Sequence, residues 1–214
     1  MKIIITGATG MVGEGIMLEC LENPIVTNVL VVNRKPLNWK HEKLSELIVS
    51  DFIKLENYEK QLSGYDGCFF CAGVSSVGIN EAQYTHITYD TTVAFATKLA
   101  QLNPTMVFTY VSGTSTDSSE KGKLMWARVK GKTENDLMKL PFKGVYNFRP
   151  GVMKPFKGQK NIKTIYKIFI PIFTVLFSSK TLTLKQVGQA MINAVQKGYS
   201  KNVLEISDIR ELSK

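Results

Sequence analysis

Cysteine, histidine and long apolar runs are all scarce in this 214-residue chain, and each scarcity excludes something. Three cysteines (Cys20, Cys68, Cys71) cannot build a disulfide framework. The two histidines, His41 and His86, lie far apart in sequence without evident partners, so no metal site is expected. No run approaches the ~20 apolar residues that cross a bilayer. The three isoleucines at 3–5 are too short a stretch for the core of a secretory signal, so a cytoplasmic location is expected. The most uneven absence is that of acid. Between Leu137 and Leu204 there is no Asp or Glu, while twelve of the 27 Lys and Arg residues fall there. The net charge of +9 therefore belongs to this stretch, and the remainder is slightly acidic. Such asymmetry argues against a general nucleic-acid coat, and no stacking platform or recognition-helix pattern accompanies the charge. Nucleic acid is not an expected partner.

What is present is a globular pattern. Hydrophobic residues make up 44% of the chain, too many for disorder and enough for one well-buried domain over residues 1–214. Short apolar runs at 3–5, 29–32, 47–49, 68–73, 106–111 and 145–148 read as strands, with a last short one at 203–206. Helical patterns at 11–21, 82–102, 124–140 and 183–197 stand between them. The last of these carries a capping box (Thr183, Gln186) and a terminal Gly198. Alternation of this kind predicts an α/β architecture, a doubly wound parallel sheet with helices on both faces. Residues 151–182 are expected to form a small C-terminal lobe or lid over a substrate.

The most informative motif is Thr6-Gly7-Ala8-Thr9-Gly10-Met11-Val12-Gly13, directly after the first strand and opening the first helix. The first glycine turns the chain, the second admits a pyrophosphate to the backbone, and the third lets helix and strand pack closely. The N–H groups at Met11 and Val12 belong to a helix N-terminus, whose dipole favours an anion. About twenty residues on, NAD sites place an acid that binds the ribose hydroxyls. Here the second strand ends in Asn33-Arg34-Lys35. Two cations suit the 2′-phosphate of NADP, which Arg34 can hold bidentately, so NADP is expected over NAD. Asp51, after the third strand, reads either as an acceptor for the adenine amine or as a local cap. Gly73 reads either as making room for the cofactor or as a turn.

Several motifs together resemble the short-chain dehydrogenase/reductases. They are the glycine loop, Cys71-Ala72-Gly73, Tyr110-Val111-Ser112-Gly113, the run from Trp126 through Lys130 to Glu134, and Arg149-Pro150-Gly151. The likeness is to the extended or atypical branch, with its epimerase-like, NmrA-like and Tat-interacting oxidoreductase-like proteins. The resemblance implies a Rossmann fold, an NAD(P) cofactor and hydride transfer to a small carbonyl or enone. It also implies a Ser or Thr after the fifth strand that orients the carbonyl, here Ser112 or Thr114. A tyrosine then donates the proton, and a lysine four residues on binds the nicotinamide ribose. Lys130 matches the lysine. Trp126 stands where the tyrosine is expected, and an indole N–H donates but does not titrate usefully. Three readings follow: another group supplies the proton, the substrate needs no strong acid, or the protein binds NADP without turnover as a sensor. Pro150 and Gly151 are implied to turn the chain beside the nicotinamide. Arg149 is either an ion-pair residue or a substrate anchor.

The remaining features have plainer readings. Cys68 and Cys71, three apart in a strand, point to opposite faces and read as small buried hydrophobes. The Ser/Thr-rich stretch 112–119 is expected to be a mobile loop. Lys160, Lys163 and Lys167 form a stripe on an apolar background that continues to 177. The expected uses of 160–177 are a lid on the substrate cleft, a partner or homodimer surface, or an anionic membrane surface, the last making the chain a peripheral membrane protein that acts on a lipid-like substrate.

Overall fold

The computed structural model describes residues 1–162 and 180–214. The lid or membrane stripe expected at 160–177 therefore falls outside the described residues, apart from 160–162.

Seven parallel strands form one sheet in the order β3-β2-β1-β4-β5-β6-β9. They are β1 (Lys2–Thr6), β2 (Asn28–Asn33), β3 (Leu44–Ile48), β4 (Gly67–Phe70), β5 (Val107–Val111), β6 (Gly144–Phe148) and β9 (Val203–Leu204). The doubly wound expectation is met. The isoleucine run explains why β1 sits at the centre. Ile3 and Ile5 enter one apolar layer, with Ile16, Met17 and Met191, while Ile4 enters the other, with Phe70, Phe95 and Phe108. The period-2 alternation of a strand buried on both faces thus builds two cores from three consecutive residues. The first layer is covered by α1 (Met11–Glu22), α6 (Leu184–Lys197) and α7 (Ile206–Leu212); the second is covered by α2 (Glu59–Leu62), α4 (Thr91–Leu102) and α5 (Met125–Leu137).

Four local departures from the expected pattern have identifiable causes. β3 begins at Leu44, three residues before the apolar cluster, because its ladder to β2 starts from Val29↔Leu44 and runs through exposed Ser45 and Glu46 at the sheet edge. β4 stops at Phe70 because the N–H groups of Cys71 and Ala72 leave the ladder for the Thr6 hydroxyl. The helix expected at 82–102 is α3 (Glu81–Thr85) joined to α4 through a π turn, His86–Asp90, where the Thr91 hydroxyl donates to the His86 carbonyl at 2.9 Å. The last strand ends at Leu204, and α7 follows with Glu205 as its cap, a helix the sequence pattern did not suggest. Beside the main sheet, β7 (Val152–Lys154) and β8 (Thr181–Thr183) form a separate parallel pair at the base of the expected lobe. The capping box of Thr183 and Gln186 is present, with Gly198 ending α6 at φ 70°.

Candidate functional site

Strand order reverses between β1 and β4, so the carboxyl ends of these strands open a crevice. The glycine loop lies there. Gly7 adopts φ +71°, and a Cβ on it would stand 2.7 Å from the backbone of Cys71 and Ala72. The Thr6 hydroxyl accepts both N–H groups of that same strip at 3.1 Å, which stitches the two strand ends together. A Cβ at Gly13 would fall inside the Gly7 carbonyl, whereas Gly10 has only that carbonyl near, at 3.4 Å, and Gly73 has nothing within 4 Å. The loop therefore presses against protein at Gly7 and Gly13 and is open at Gly10 and Gly73. Gly10 caps α1 without a side-chain hydrogen bond, and Thr9 is exposed beside it, so the N-terminal turn at Met11 and Val12 stays available for an anion.

At the tip of β2, Arg34 and Lys35 are exposed and make no ion pair among the described residues. Asn33 is only 3% exposed, and its amide nitrogen has no hydrogen-bond partner. A buried donor without an acceptor is costly. Asp51 accepts from the Ile53 N–H at 2.9 Å, the local-cap arrangement, and remains exposed.

On the other side of the crevice, Ser112 and Thr114 separate into different roles. Ser112 is buried and its hydroxyl donates to Glu134 at 2.5 Å; Thr114 is exposed, its hydroxyl 3.4 Å from the Arg149 carbonyl. Lys130 on α5 donates its ammonium to the Ser112 carbonyl. Burial pushes its pKa down from 10.5 to about 8, opposed by the charge of Glu134. Trp126, one turn earlier on α5, is half-buried. Arg149 settles as an ion-pair residue: its guanidinium meets Glu134 twice, at 3.0 and 2.5 Å, and also reaches Ser118 at 2.6 Å and Glu205 at 3.2 Å. Its head is engaged by Glu134, Ser118 and Glu205, the ion-pair alternative of the two. Pro150 is buried next to it, and its carbonyl accepts from the Thr114 N–H at 3.3 Å. Gly151 packs under the Lys180 carbonyl.

The stretch 112–119, expected to be mobile, is instead tied down. Asp117 accepts from the Ser119 N–H and hydroxyl and from the Gly122 N–H, bonds that hold its carboxyl below the usual range. Its own N–H donates to Ala127, and Gly131 of α5 leaves space for its carbonyl. Cys68 and Cys71 do lie in opposite layers, both thiols raised by burial. His86 is exposed, 3.2 Å from Asp90 one turn on. No metal-ligating group of three or more side chains occurs among the described residues.

Sequence reasoning passed over Glu134, Asp117 and Glu14. Glu14, fully buried on α1, accepts the N–H groups of Lys160 and Asn161 at 2.9 and 2.6 Å, and Gln159 donates to the Met11 carbonyl. Lys160 extends over the Trp39 ring, 4.3 Å from its centroid. Partners more than a hundred residues away leave no local pattern.

Residues 3–125 match the model of the NAD-dependent epimerase/dehydratase family. The chain belongs to that family. The resemblance to atypical short-chain dehydrogenase/reductases is thereby borne out, and the crevice belongs to a dinucleotide-binding family. Among curated relatives, rat Protein HTATIP2 is 27% identical over 154 residues, which cover 71% of this chain and 62% of that protein. Protein fmp52, mitochondrial, from Emericella nidulans is 27% identical over 217 residues, covering 94% and 90%. The match spans less than two thirds of the rat protein and 65% of the Scheffersomyces stipitis relative. Among solved structures, MoeE5 in complex with UDP-glucose and NAD gives a TM-score of 0.71 at 16% identity, over 100% of this chain and 81% of that one. The Helicobacter pylori ADP-L-glycero-D-manno-heptose-6-epimerase gives 0.70 at 16%, over 100% and 80%. These likenesses confirm the fold.

The cytoplasmic expectation is corrected. The fungal FMP52 relatives, among them those of Debaryomyces hansenii and Candida albicans, are named mitochondrial. A missing secretory core bears on secretion and is silent about mitochondria, whose signals are amphipathic and Arg-rich.

Lys130 carries a prediction of its own. Its folded pKa lies below the unfolded one, so between about 8 and 10.5 the unfolded chain holds more protons and stability rises with pH. Below about 8 the buried ammonium costs stability throughout. The gap corresponds to about 3 kcal/mol, reduced by its hydrogen bond to the Ser112 carbonyl. Lys130→Met is expected to raise stability by about 1–2 kcal/mol at pH 7, a gain that shrinks by pH 10. Urea unfolding of both proteins at the two pH values checks it.

Proposed function

We propose that this protein is an NADPH-using oxidoreductase of the atypical short-chain group, acting on a small carbonyl or enone. The observation that carries the reading is the β2 tip, where two cations without an ion pair among the described residues and a buried amide donor occupy the place of an acid. The glycine loop from Thr6 to Gly13 would hold the pyrophosphate, with Cys71, Ala72 and Gly73 lining the opposite strand end. Asn33 would meet the ribose, and Arg34 with Lys35 the 2′-phosphate. When bound, the dinucleotide supplies or accepts a hydride.

The chain's own groups do the rest. Thr114 is the exposed hydroxyl after β5 and would hold a substrate oxygen. Ser112, its proton committed to Glu134, acts on the loop rather than on substrate. Lys130 would grip the nicotinamide ribose. Trp126 donates a hydrogen bond but moves no proton, so proton delivery falls to Thr114, Lys130 or water.

Trp126 also favours a second reading, an NADPH-sensing protein without turnover. NADPH consumption with any of a panel of small aldehydes, ketones and enones would exclude it.

Fluorescence titration with NADPH and NADH tests the cofactor claim. NADPH is expected to bind at least tenfold more tightly. Losing a charge-assisted bond costs about 1.5–3 kcal/mol, so Arg34→Glu should weaken NADPH binding by roughly 10- to 100-fold and leave NADH nearly unchanged. Equal binding of both dinucleotides to the native protein, or binding of neither, would sink the claim.

A further inference from the structure

Lys130, Ser112 and Thr114 are three candidate contacts on two elements, and one buried side chain joins the elements. Glu134 is fully buried on α5, one turn beyond Lys130. One carboxylate oxygen accepts from the Ser112 hydroxyl at 2.5 Å and from Arg149 Nε at 3.0 Å; the other accepts from Arg149 Nη2 at 2.5 Å. Ser112 in turn gives its carbonyl to Lys130. The carboxylate therefore holds the loop after β5 from its hydroxyl side while Lys130 holds the same residue from its carbonyl side. We infer that Glu134 is the positioning residue of the site: it draws Ser112 inward, leaves Thr114 as the hydroxyl on the crevice, and keeps the Lys130 ammonium charged in a buried setting. The inference rests on the proposed dinucleotide role of Lys130 only for its consequence, because the arrangement exists in the free protein.

Arg149 completes the logic. A buried carboxylate is costly without a paired cation. The bidentate Arg149 guanidinium is that cation, and Glu205 and Ser118 hold it from behind. Other ionisable groups on this side of the sheet pair elsewhere, Asp136 with Lys139 and Tyr89, and Arg128 with Glu81; the buried ones are the phenols of Tyr110 on β5 and Tyr84 on α3. Both are pushed up by burial and stay neutral across the range in question. Glu134 is thus the negative charge that acts on Lys130.

The test reads Lys130 directly, without dinucleotide. The pH dependence of its acetylation by acetic anhydride, resolved by peptide mass spectrometry, reports the neutral amine. Half-reactivity is expected near pH 8 in the native protein. It should move down by about one unit in Glu134→Gln, as removal of an adjacent opposite charge requires. Glu134→Asp keeps the charge and should titrate close to the native protein, which a purely space-filling role would not produce. If Glu134→Gln fails to fold, the uncharged pair Glu134→Gln with Arg149→Met takes its place, and its midpoint should move down by less, because the Arg149 charge is lost with that of Glu134. An unmoved titration in the neutral variant, or an equal shift in Glu134→Asp, overturns the inference. Absence of NADPH binding to the native protein would overturn the proposed function and leave the Lys130 titration as it is, so the two failures are distinguishable.

Discussion

An Arg149→Ala variant is expected to lose about 3–5 kcal/mol of stability, the cost of leaving a buried charge without its partner. Glu134 is wholly buried, and after the substitution only the Ser112 hydroxyl remains to it. Water cannot replace five donors in a fixed fork without entering the layer between α5 and β6. Urea unfolding of both proteins at pH 7.5 measures the loss. A cost below about 1 kcal/mol would mean that the pair is hydrated like a surface ion pair.

The second large effect is at Gly131. Helix propensity alone favours Gly131→Ala by about 1 kcal/mol, since alanine is the better helix former. The packing predicts the opposite sign. A Cβ there would overlap the carbonyl of Asp117, the residue that ties residues 117–122 together. Backbone has no rotamer with which to yield, so either α5 or the loop must move. A net destabilisation of about 3 kcal/mol is expected, with proteolytic cleavage appearing within 113–122. Thermal unfolding combined with limited proteolysis checks both. A stabilised variant would show that the loop floats free of the helix.

The two predictions explain what could be read in advance and what could not. Gly7, Gly10 and Gly13 announce the dinucleotide loop because strand, turn and helix constraints fall within eight consecutive residues. The three isoleucines of β1 announce a central strand because both faces are written into neighbouring positions. Glu134 and Arg149 stand within motifs read beforehand, yet their pairing joins helix to strand and depends on how α5 lies against β6. Ser112 and Thr114 are equivalent in sequence; the inward turn of one follows from Glu134. The 112–119 stretch has the composition of a mobile loop, and Asp117 with Gly131 gives it a fixed seat. α7 went unseen because its two caps, Glu205 and Asp208, look like surface acids.

Glu14 has a consequence in the order of synthesis. The helix that presents the glycine loop leaves the ribosome early, but the N–H groups that satisfy its buried carboxylate belong to Lys160 and Asn161. At ordinary elongation rates they follow roughly 10 to 30 s later. α6, which covers the same layer of the core, is later still. Until then α1 has an apolar flank uncovered, so the span 3–125 that carries the family's signature ends before the residues that complete the first layer of its core.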